Sequence, residues 1–157
     1  MSELGMNIVR YLQFSLGNEN YAIDLMGLKE VIPLPETTEL PNCPPYYVGI
    51  MNLRGHIISI IDLRKKLNIK RSEEELEEAV IIVELQGVSL GLVVDTIGRV
   101  LNIEESQVTS VPEVSSQLNA QYINGVYQGD DFLTIILDIE KILKIKEITE
   151  MMSRSAS

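Results

Sequence analysis

The chain has 157 residues, of which 45% are hydrophobic and 23% are charged, and its formal net charge is −10. This size suits one compact domain or two very small ones that share a core, and the apolar content argues against global disorder. So acidic a chain repels phosphate backbones and anionic lipids, which excludes nucleic acid and membrane surfaces as expected partners.

The first half of the sequence has the pattern of short β-strands followed by a helix. Apolar and polar residues alternate over residues 8–16 and again over 21–25, with a turn cluster between them, which predicts a hairpin. A third strand is predicted at 29–34, before a proline-rich loop. Two further strands, 48–52 and 56–62, flank a tight turn. Asp62 is predicted to cap a short helix that ends at Leu67.

The second half repeats this order of elements. Residues 79–85 and 88–95 are predicted to form a hairpin, residues 97–103 a strand, and residues 122–127 and 132–138 a second hairpin. Asp138 is predicted to cap a final helix that runs to about residue 149, and residues 151–157 are predicted to be a flexible tail.

The two halves also match residue by residue. Residues 49–67 are followed by a similar segment at a constant spacing of 76 positions, and residues 21–32 by one at a spacing of 69. This predicts an internal duplication, with repeats at about 7–78 and 79–150 forming two small antiparallel barrels within one domain, 7–150. The expected core pairs are Ile57 with Leu133, Ile60 with Ile136, and Leu67 with Leu143.

Few residues are available for catalysis or for binding a metal. One histidine, His56, and one cysteine, Cys43, are too few for a zinc site, and no glycine-rich phosphate loop is present. We therefore expect no cofactor and no metal. A single cysteine cannot form an internal disulfide, and neither a signal peptide nor an apolar run of about 20 residues is evident, so a cytoplasmic protein without a membrane insertion is expected.

Carboxylates leave one enzymatic alternative open. Asp24, Asp62, Asp95 and Asp138 each follow an apolar strand residue, and Asp95 begins a segment similar to the Asp-Thr-Gly of aspartic proteases. A small all-β acid hydrolase would need two such carboxylates within hydrogen-bonding distance, but no second loop of this type exists. Helix capping explains Asp62 and Asp138 better, so we expect that the protein is not an enzyme.

The turn between the strands at 48–52 and 56–62 is unusual for a solvated turn. It contains Asn52, Leu53, Arg54 and Gly55, whereas the matching segment of the second half is Gln-Gly-Asp-Asp at 128–131. An exposed leucine beside an arginine is typical of a protein-binding surface. The alternative is that Leu53 packs into the core and Arg54 forms an internal ion pair.

Several segments resemble the CheW family of bacterial chemotaxis adaptors. They are Phe-Ser-Leu at 14–16, Tyr-Ala-Ile-Asp at 21–24, Lys-Glu-Val at 29–31, Pro-Asn-Cys-Pro-Pro-Tyr at 41–46, Gly-Ile-Met-Asn-Leu-Arg-Gly at 49–55, Ile-Ile-Asp-Leu-Arg at 60–64, Gly-Leu-Val-Val-Asp at 91–95 and Leu-Asp-Ile at 137–139. The resemblance covers about residues 7–145. The Asn-Leu-Arg-Gly turn after a proline-rich loop is its most specific part.

This resemblance implies an all-β fold of two SH3-like five-stranded barrels with short helices and a C-terminal helix. It implies a non-catalytic adaptor or scaffold that couples methyl-accepting chemoreceptors to the regulatory domain of the histidine kinase CheA in chemotaxis signal transduction, at membrane chemoreceptor arrays. An adaptor of a non-flagellar chemosensory pathway is equally compatible. The receptor-binding residues that it implies, together with the turn, are Leu28, Glu30, Gly49, Asn52, Leu53, Arg54 and Val100. No kinase-binding residue can be assigned.

The duplication places Arg54 over Asp130 and Glu30 over Arg99. Each half thus carries one acid and one base at matching positions, with the signs exchanged. We therefore expect Glu30 and Arg54 to be neighbours beside the groove between the barrels, and Arg99 and Asp130 to be neighbours in the other half.

Overall fold

Eleven strands and two short helices make up the part of the chain that the computed structural model describes, which is residues 7–72, 77–110, 120–129, 131–144, 146–148 and 150. Two single 3₁₀ turns also occur, at Glu105–Gln107 and Ala120–Tyr122. The strands and helices are β1 (Ile8–Leu16), β2 (Glu19–Asp24), β3 (Leu28–Pro33), β4 (Tyr47–Leu53), β5 (His56–Asp62), α1 (Leu63–Lys66), β6 (Ala79–Leu85), β7 (Val88–Val94), β8 (Thr96–Glu104), β9 (Val108–Thr109), β10 (Ile123–Gln128), β11 (Leu133–Leu137) and α2 (Ile139–Leu143).

The strands form two sheets that combine both repeats. One sheet has the order β8-β1-β2-β11-β10-β9 and the other the order β3-β6-β7-β5-β4. When each strand is exchanged for its counterpart in the other repeat, β8-β1-β2-β11-β10 becomes β3-β6-β7-β5-β4. Each sheet therefore combines a hairpin from one repeat with three strands from the other, and β9 is added to the first sheet, so the duplicated halves are interlocked.

This interlocking corrects two predicted details of the barrels. The barrels are not wholly antiparallel, because β2 pairs with β11, and β5 with β7, in parallel. The other two pairings between strands of different repeats, β1 with β8 and β3 with β6, are antiparallel. The prediction of five strands in each is also incomplete, since β9 adds a sixth to one sheet. Its counterpart in the other half is a single bridge between Thr38 and Ile50.

The two predicted helix caps, Asp62 and Asp138, are confirmed by the structure. Asp62 accepts a hydrogen bond from the backbone N–H of Lys65 at 3.2 Å, and Asp138 accepts one from Lys141 at 3.2 Å. The prediction of one final helix that runs to about residue 149 is wrong in one respect. The helix α2 ends at Leu143, because Lys144 adopts a left-handed φ of 45°. Residues 146–148 are helical again. The predicted tail lies outside the described residues, and so do residues 73–76 and 111–119, which lie between predicted elements. No helix of the described chain is both long and apolar enough to cross a bilayer.

One core is shared by the two sheets, and each sheet has a smaller core of its own. The shared core contains Phe14, Leu92 and Ile142, while Ile60 belongs to one smaller core and Ile136 to the other. Because side chains from both repeats fill the shared core, separating the halves would expose it to water.

Two of the three expected core pairs are correct. Ile60, Ile136, Leu67 and Leu143 are all buried. The third pair is wrong, because Ile57 is 54% exposed and Leu133 is 56% exposed. The reason is register: β7 pairs with β5 only from Ser59 onward, and β2 pairs with β11 only from Thr134 onward. Ile57 and Leu133 lie before these points, beyond the end of the neighbouring strand. Ile58 does too, but it is buried because it faces the smaller core together with Ile60.

These positions give a first test of the packing. Ile60→Val and Ile136→Val each remove one buried methyl group and are expected to lower the free energy of unfolding by about 1 kcal/mol. Ile57→Val is the matched control, since it makes the same change on an exposed side chain and is expected to cost less than about 0.5 kcal/mol. Urea unfolding of the variants provides the measurement. Equal costs for Ile57→Val and Ile60→Val would contradict the register.

Candidate functional site

A tight turn at the end of the β4–β5 hairpin presents Arg54 to solvent. Arg54 and Gly55 both have positive φ angles, 51° and 87°, which is the geometry of a two-residue type I′ turn. The carboxamide oxygen of Asn52 accepts a hydrogen bond from the N–H of Gly55 at 2.9 Å. The central residues of the turn are therefore Arg54 and Gly55, not Leu53 and Arg54 as the sequence suggested.

This one-residue difference changes the role of Leu53. It is the last residue of β4, is half-buried, and packs against the small core that contains Ile58 and Ile60. Leu53 is therefore not the fully exposed apolar anchor that the sequence predicted, and it packs in part as the alternative described. Its assignment to the receptor-binding residues stays a prediction. Asn52 is exposed, and its side chain holds the turn.

Arg54 forms a two-pronged ion pair with Glu30 on β3. Nη1 donates to Oε2 at 2.6 Å and Nη2 donates to Oε1 at 2.9 Å, which confirms that the two residues are neighbours. The Arg54 side chain is 69% exposed and that of Glu30 is 30% exposed, so the pair lies at the surface. Surface pairs contribute little to stability. The pair therefore fixes the orientation of the guanidinium. The side of the guanidinium that faces away from Glu30 stays in solvent.

The ion pair lowers the pKa of Glu30 below its ordinary value, chiefly because the carboxylate accepts the hydrogen bonds of Arg54. The same contacts raise the pKa of Arg54. A lowered carboxyl pKa means that the pair is fully formed at neutral pH and is lost only as the pH falls through that lowered value.

A carboxyl titration followed by NMR tests this directly. In the wild-type protein Glu30 is expected to titrate below its ordinary pKa. In Arg54→Ala the pKa of Glu30 is expected to return most of the way to that value, because its hydrogen-bond donors are gone. Lys141→Ala is the control, because it removes a different surface cation that is also paired with an acid, and it should leave the pKa of Glu30 unchanged. An unchanged Glu30 pKa in Arg54→Ala would mean that the pair does not persist in solution.

Three of the predicted receptor-binding residues lie on strands at the edges of the two sheets. Leu28 and Glu30 belong to β3 and Val100 to β8, and each of these strands ends the order of its sheet. Val100 is 43% exposed, and Leu28 packs partly against the shared core. The structure brings Glu30 and Arg54 together. The assignment of Leu28 and Val100 to a receptor-binding groove stays a prediction.

Gly49 is buried and has a structural neighbour that the sequence did not suggest. Its φ is 152°, and a Cβ at this position would lie 2.4 Å from the carbonyl oxygen of Thr38. Thr38 reaches β4 from the proline-rich loop and exchanges two backbone hydrogen bonds with Ile50, both at 2.8 Å. An isolated bridge leaves no periodic pattern, so it could not be predicted from the sequence.

The second acid–base pair can be followed only in part. The Arg99 guanidinium lies over the ring of Phe132, 5.2 Å from its centroid, which is a cation–π contact. Asp130, its predicted partner, lies outside the described residues, so the expected Arg99–Asp130 contact stays a prediction.

The aspartates do not form the pair that a hydrolase would need. Asp62 and Asp95 line the same cleft, but each is engaged by the backbone: Asp95 accepts from the N–H of Gly17 at 2.7 Å, and Asp62 caps α1. No hydrogen bond joins two carboxyl groups among the residues described. In the same part of the chain, no group of three or more histidine, cysteine and acidic side chains is arranged to hold a metal ion.

Comparisons with known proteins agree on one family. Residues 10–147 match the family model described as "CheW-like domain". The chain is 37% identical to the chemotaxis protein CheW of Treponema pallidum, over 88% of this chain and 84% of that one. It is 33% identical to that of Thermotoga maritima, over 88% of both chains. The crystal structure of the scaffolding protein TtCheW from Thermoanaerobacter tengcongensis is similar to it with a TM-score of 0.78 and 32% identity, covering 87% of this chain and 88% of that one.

Proposed function

The chain belongs to the CheW-like family of chemotaxis adaptors, and from this we propose that it couples the cytoplasmic tips of methyl-accepting chemoreceptors to the histidine kinase CheA without catalysing a reaction. The relatives are named chemotaxis proteins, and the similar solved structure is named a scaffolding protein. An adaptor of this kind works by holding two partners on one rigid body, so that movement of one changes how the other is held.

The exposed Arg54–Glu30 pair is the observation that carries the receptor half of this proposal. Arg54 is a non-glycine residue with positive φ, a conformation that costs energy, and it is held there at the surface by a two-pronged contact. Because surface ion pairs contribute little to folding, this arrangement is better explained by binding. Glu30 orients the guanidinium, and its outward side remains available to an acceptor on the receptor.

The interlocked fold supports the coupling half. Both sheets contribute to one buried core, so a force applied to one sheet is transmitted to the other without a hinge between repeats. We propose that residues 7–150 act as a single unit, with one surface for the receptor tip and a different one for the regulatory domain of the kinase. The place of action would then be the cytoplasmic side of membrane receptor arrays.

Binding measurements with purified partners test the proposal. The protein should bind a receptor hairpin fragment and the CheA regulatory domain separately, and should bind both at once in a mixture resolved by size. A pull-down from the native organism should recover a chemoreceptor and a CheA-type kinase, and their identities distinguish flagellar chemotaxis from another chemosensory pathway. Mutually exclusive binding of the two partners would contradict the adaptor function.

A further inference from the structure

A cleft of about 340 Å³ opens where the parallel strands β2 and β11 end. Its floor is apolar and includes Ile23 and Leu137. Its rim carries four carboxylates, those of Asp24, Glu84, Asp138 and Glu140. None of the seven predicted receptor-binding residues lines this cleft, although Leu28 directly follows the lining residue Gly27.

A methionine stands at the edge of the cleft on a fixed backbone. Met26 lines the cleft and is 86% exposed. Its N–H donates to Oδ1 of Asp24 at 2.8 Å, and the next carbonyl, that of Gly27, accepts from the N–H of Glu84 at 2.7 Å. Because the backbone is already held, little ordering would be needed for a partner to bind there. Methionine is also a side chain that adapts to apolar surfaces.

The duplication supplies an internal comparison for the charge of this cleft. At the equivalent point of the other sheet, where β5 and β7 end, a cleft of about 190 Å³ is lined by acids, among them Asp62 and Asp95, and by the cations Arg64, Lys65 and Arg71. The chain itself thus places cations beside the carboxylates at that position. At the spacing of 76 residues, Lys141 corresponds to Lys65, but Glu140 replaces Arg64.

Two of the four carboxylates of the first cleft are ion-paired from outside its lining. Lys29 pairs with Glu84 at 2.9 Å and Lys141 with Asp138 at 3.8 Å. Among the described residues, Asp24 and Glu140 have no paired cation, so the cleft keeps a negative charge above an apolar floor. An isolated cation would gain little from such a site, whereas a segment with both charge and apolar surface is complementary to it.

We propose that this cleft docks a segment of a partner protein that presents an arginine or lysine beside an apolar side chain. The cation takes the place that Arg64 takes in the equivalent cleft, beside Asp24 and Glu140, and the apolar side chain packs on Met26. The cleft is lined by none of the residues assigned to the receptor.

A peptide titration followed by NMR tests the site. The probes are a short peptide with arginines on both sides of a leucine and the same peptide with citrulline in place of each arginine. The arginine peptide is expected to shift the amide signals of Met26, Gly27, Gln86 and Glu140 saturably, and the citrulline peptide to bind at least tenfold more weakly. Glu84→Gln/Glu140→Gln should weaken the arginine peptide about tenfold.

Glu36→Gln/Glu39→Gln is the matched control, because it removes two exposed charges outside the cleft. It should leave the affinity unchanged. Equal weakening by both double variants would show a general attraction to an acidic protein and overturn the proposal. So would equal binding of the two peptides, which would indicate an apolar occupant. Shifts of the same amides with protein concentration, without peptide, would identify a second copy of the chain as the occupant instead.

Discussion

Arg54→Ala is expected to weaken binding of a receptor hairpin fragment about thirtyfold or more, the effect typical of a central interface residue. The protein should stay folded, with a melting temperature close to that of the wild type, because the lost ion pair is exposed. Arg54→Lys should recover little of the affinity. A lysine cannot make the two parallel hydrogen bonds to Glu30, so its charge is no longer held in one direction.

Lys141→Ala is the control for this experiment. Lys141 is 61% exposed and is also paired with a carboxylate, that of Asp138, but it lies outside the predicted receptor-binding residues. Its removal should leave receptor affinity within about twofold of wild type. A thermal melt and a fragment titration on each variant complete the test. Unchanged affinity in Arg54→Ala, or a melting temperature lowered by many degrees, would show that the arginine is structural and that this site is wrongly assigned.

Gly49→Ala is expected to lower the free energy of unfolding by about 3 kcal/mol or more. One part of the cost is backbone strain, because a φ of 152° is open to glycine and costs other residues about 1–3 kcal/mol. The other part is overpacking, typically about 1–3 kcal/mol, because the new Cβ would lie 2.4 Å from a backbone oxygen of Thr38 that cannot rotate away. Urea unfolding is the measurement.

Gly55→Ala separates these two contributions. Gly55 also has a positive φ, 87°, but an added Cβ would meet nothing within 4 Å. This variant should therefore cost only the backbone term, about 1 kcal/mol. Gly49 was predicted to bind the receptor, and its burial makes a supporting role the expected one. If Gly49→Ala were as stable as wild type but lost receptor binding, the glycine would be a contact residue after all.

The hairpins and caps could be predicted because their signals are local. Strand alternation, the Gln86–Gly87 turn and the capping aspartates Asp62 and Asp138 depend only on neighbouring residues, and all are present in the structure. The Glu30–Arg54 contact is a long-range feature that was also predicted, because the duplication placed opposite charges at related positions.

What the sequence could not reveal depends on how distant strands meet. A repeated sequence pattern does not indicate whether a hairpin joins the sheet of its own repeat or that of the other. The sequence therefore could not predict that β1–β2 and β6–β7 exchange sheets. The exposure of Ile57 follows from where β7 begins to pair with β5, which composition cannot give. The one-residue shift that places Arg54 and Gly55 at the centre of the turn can likewise be recognised only from their φ angles.

Reconstituted kinase activity tests the adaptor function most directly. CheA autophosphorylation would be measured with receptor-containing membranes, with and without this protein, and with and without attractant. The kinase is expected to respond to receptor and attractant only when the protein is present, and Arg54→Ala should reduce that response. The same response of the kinase to the receptor without the protein, or no response when all three components are combined, would contradict it.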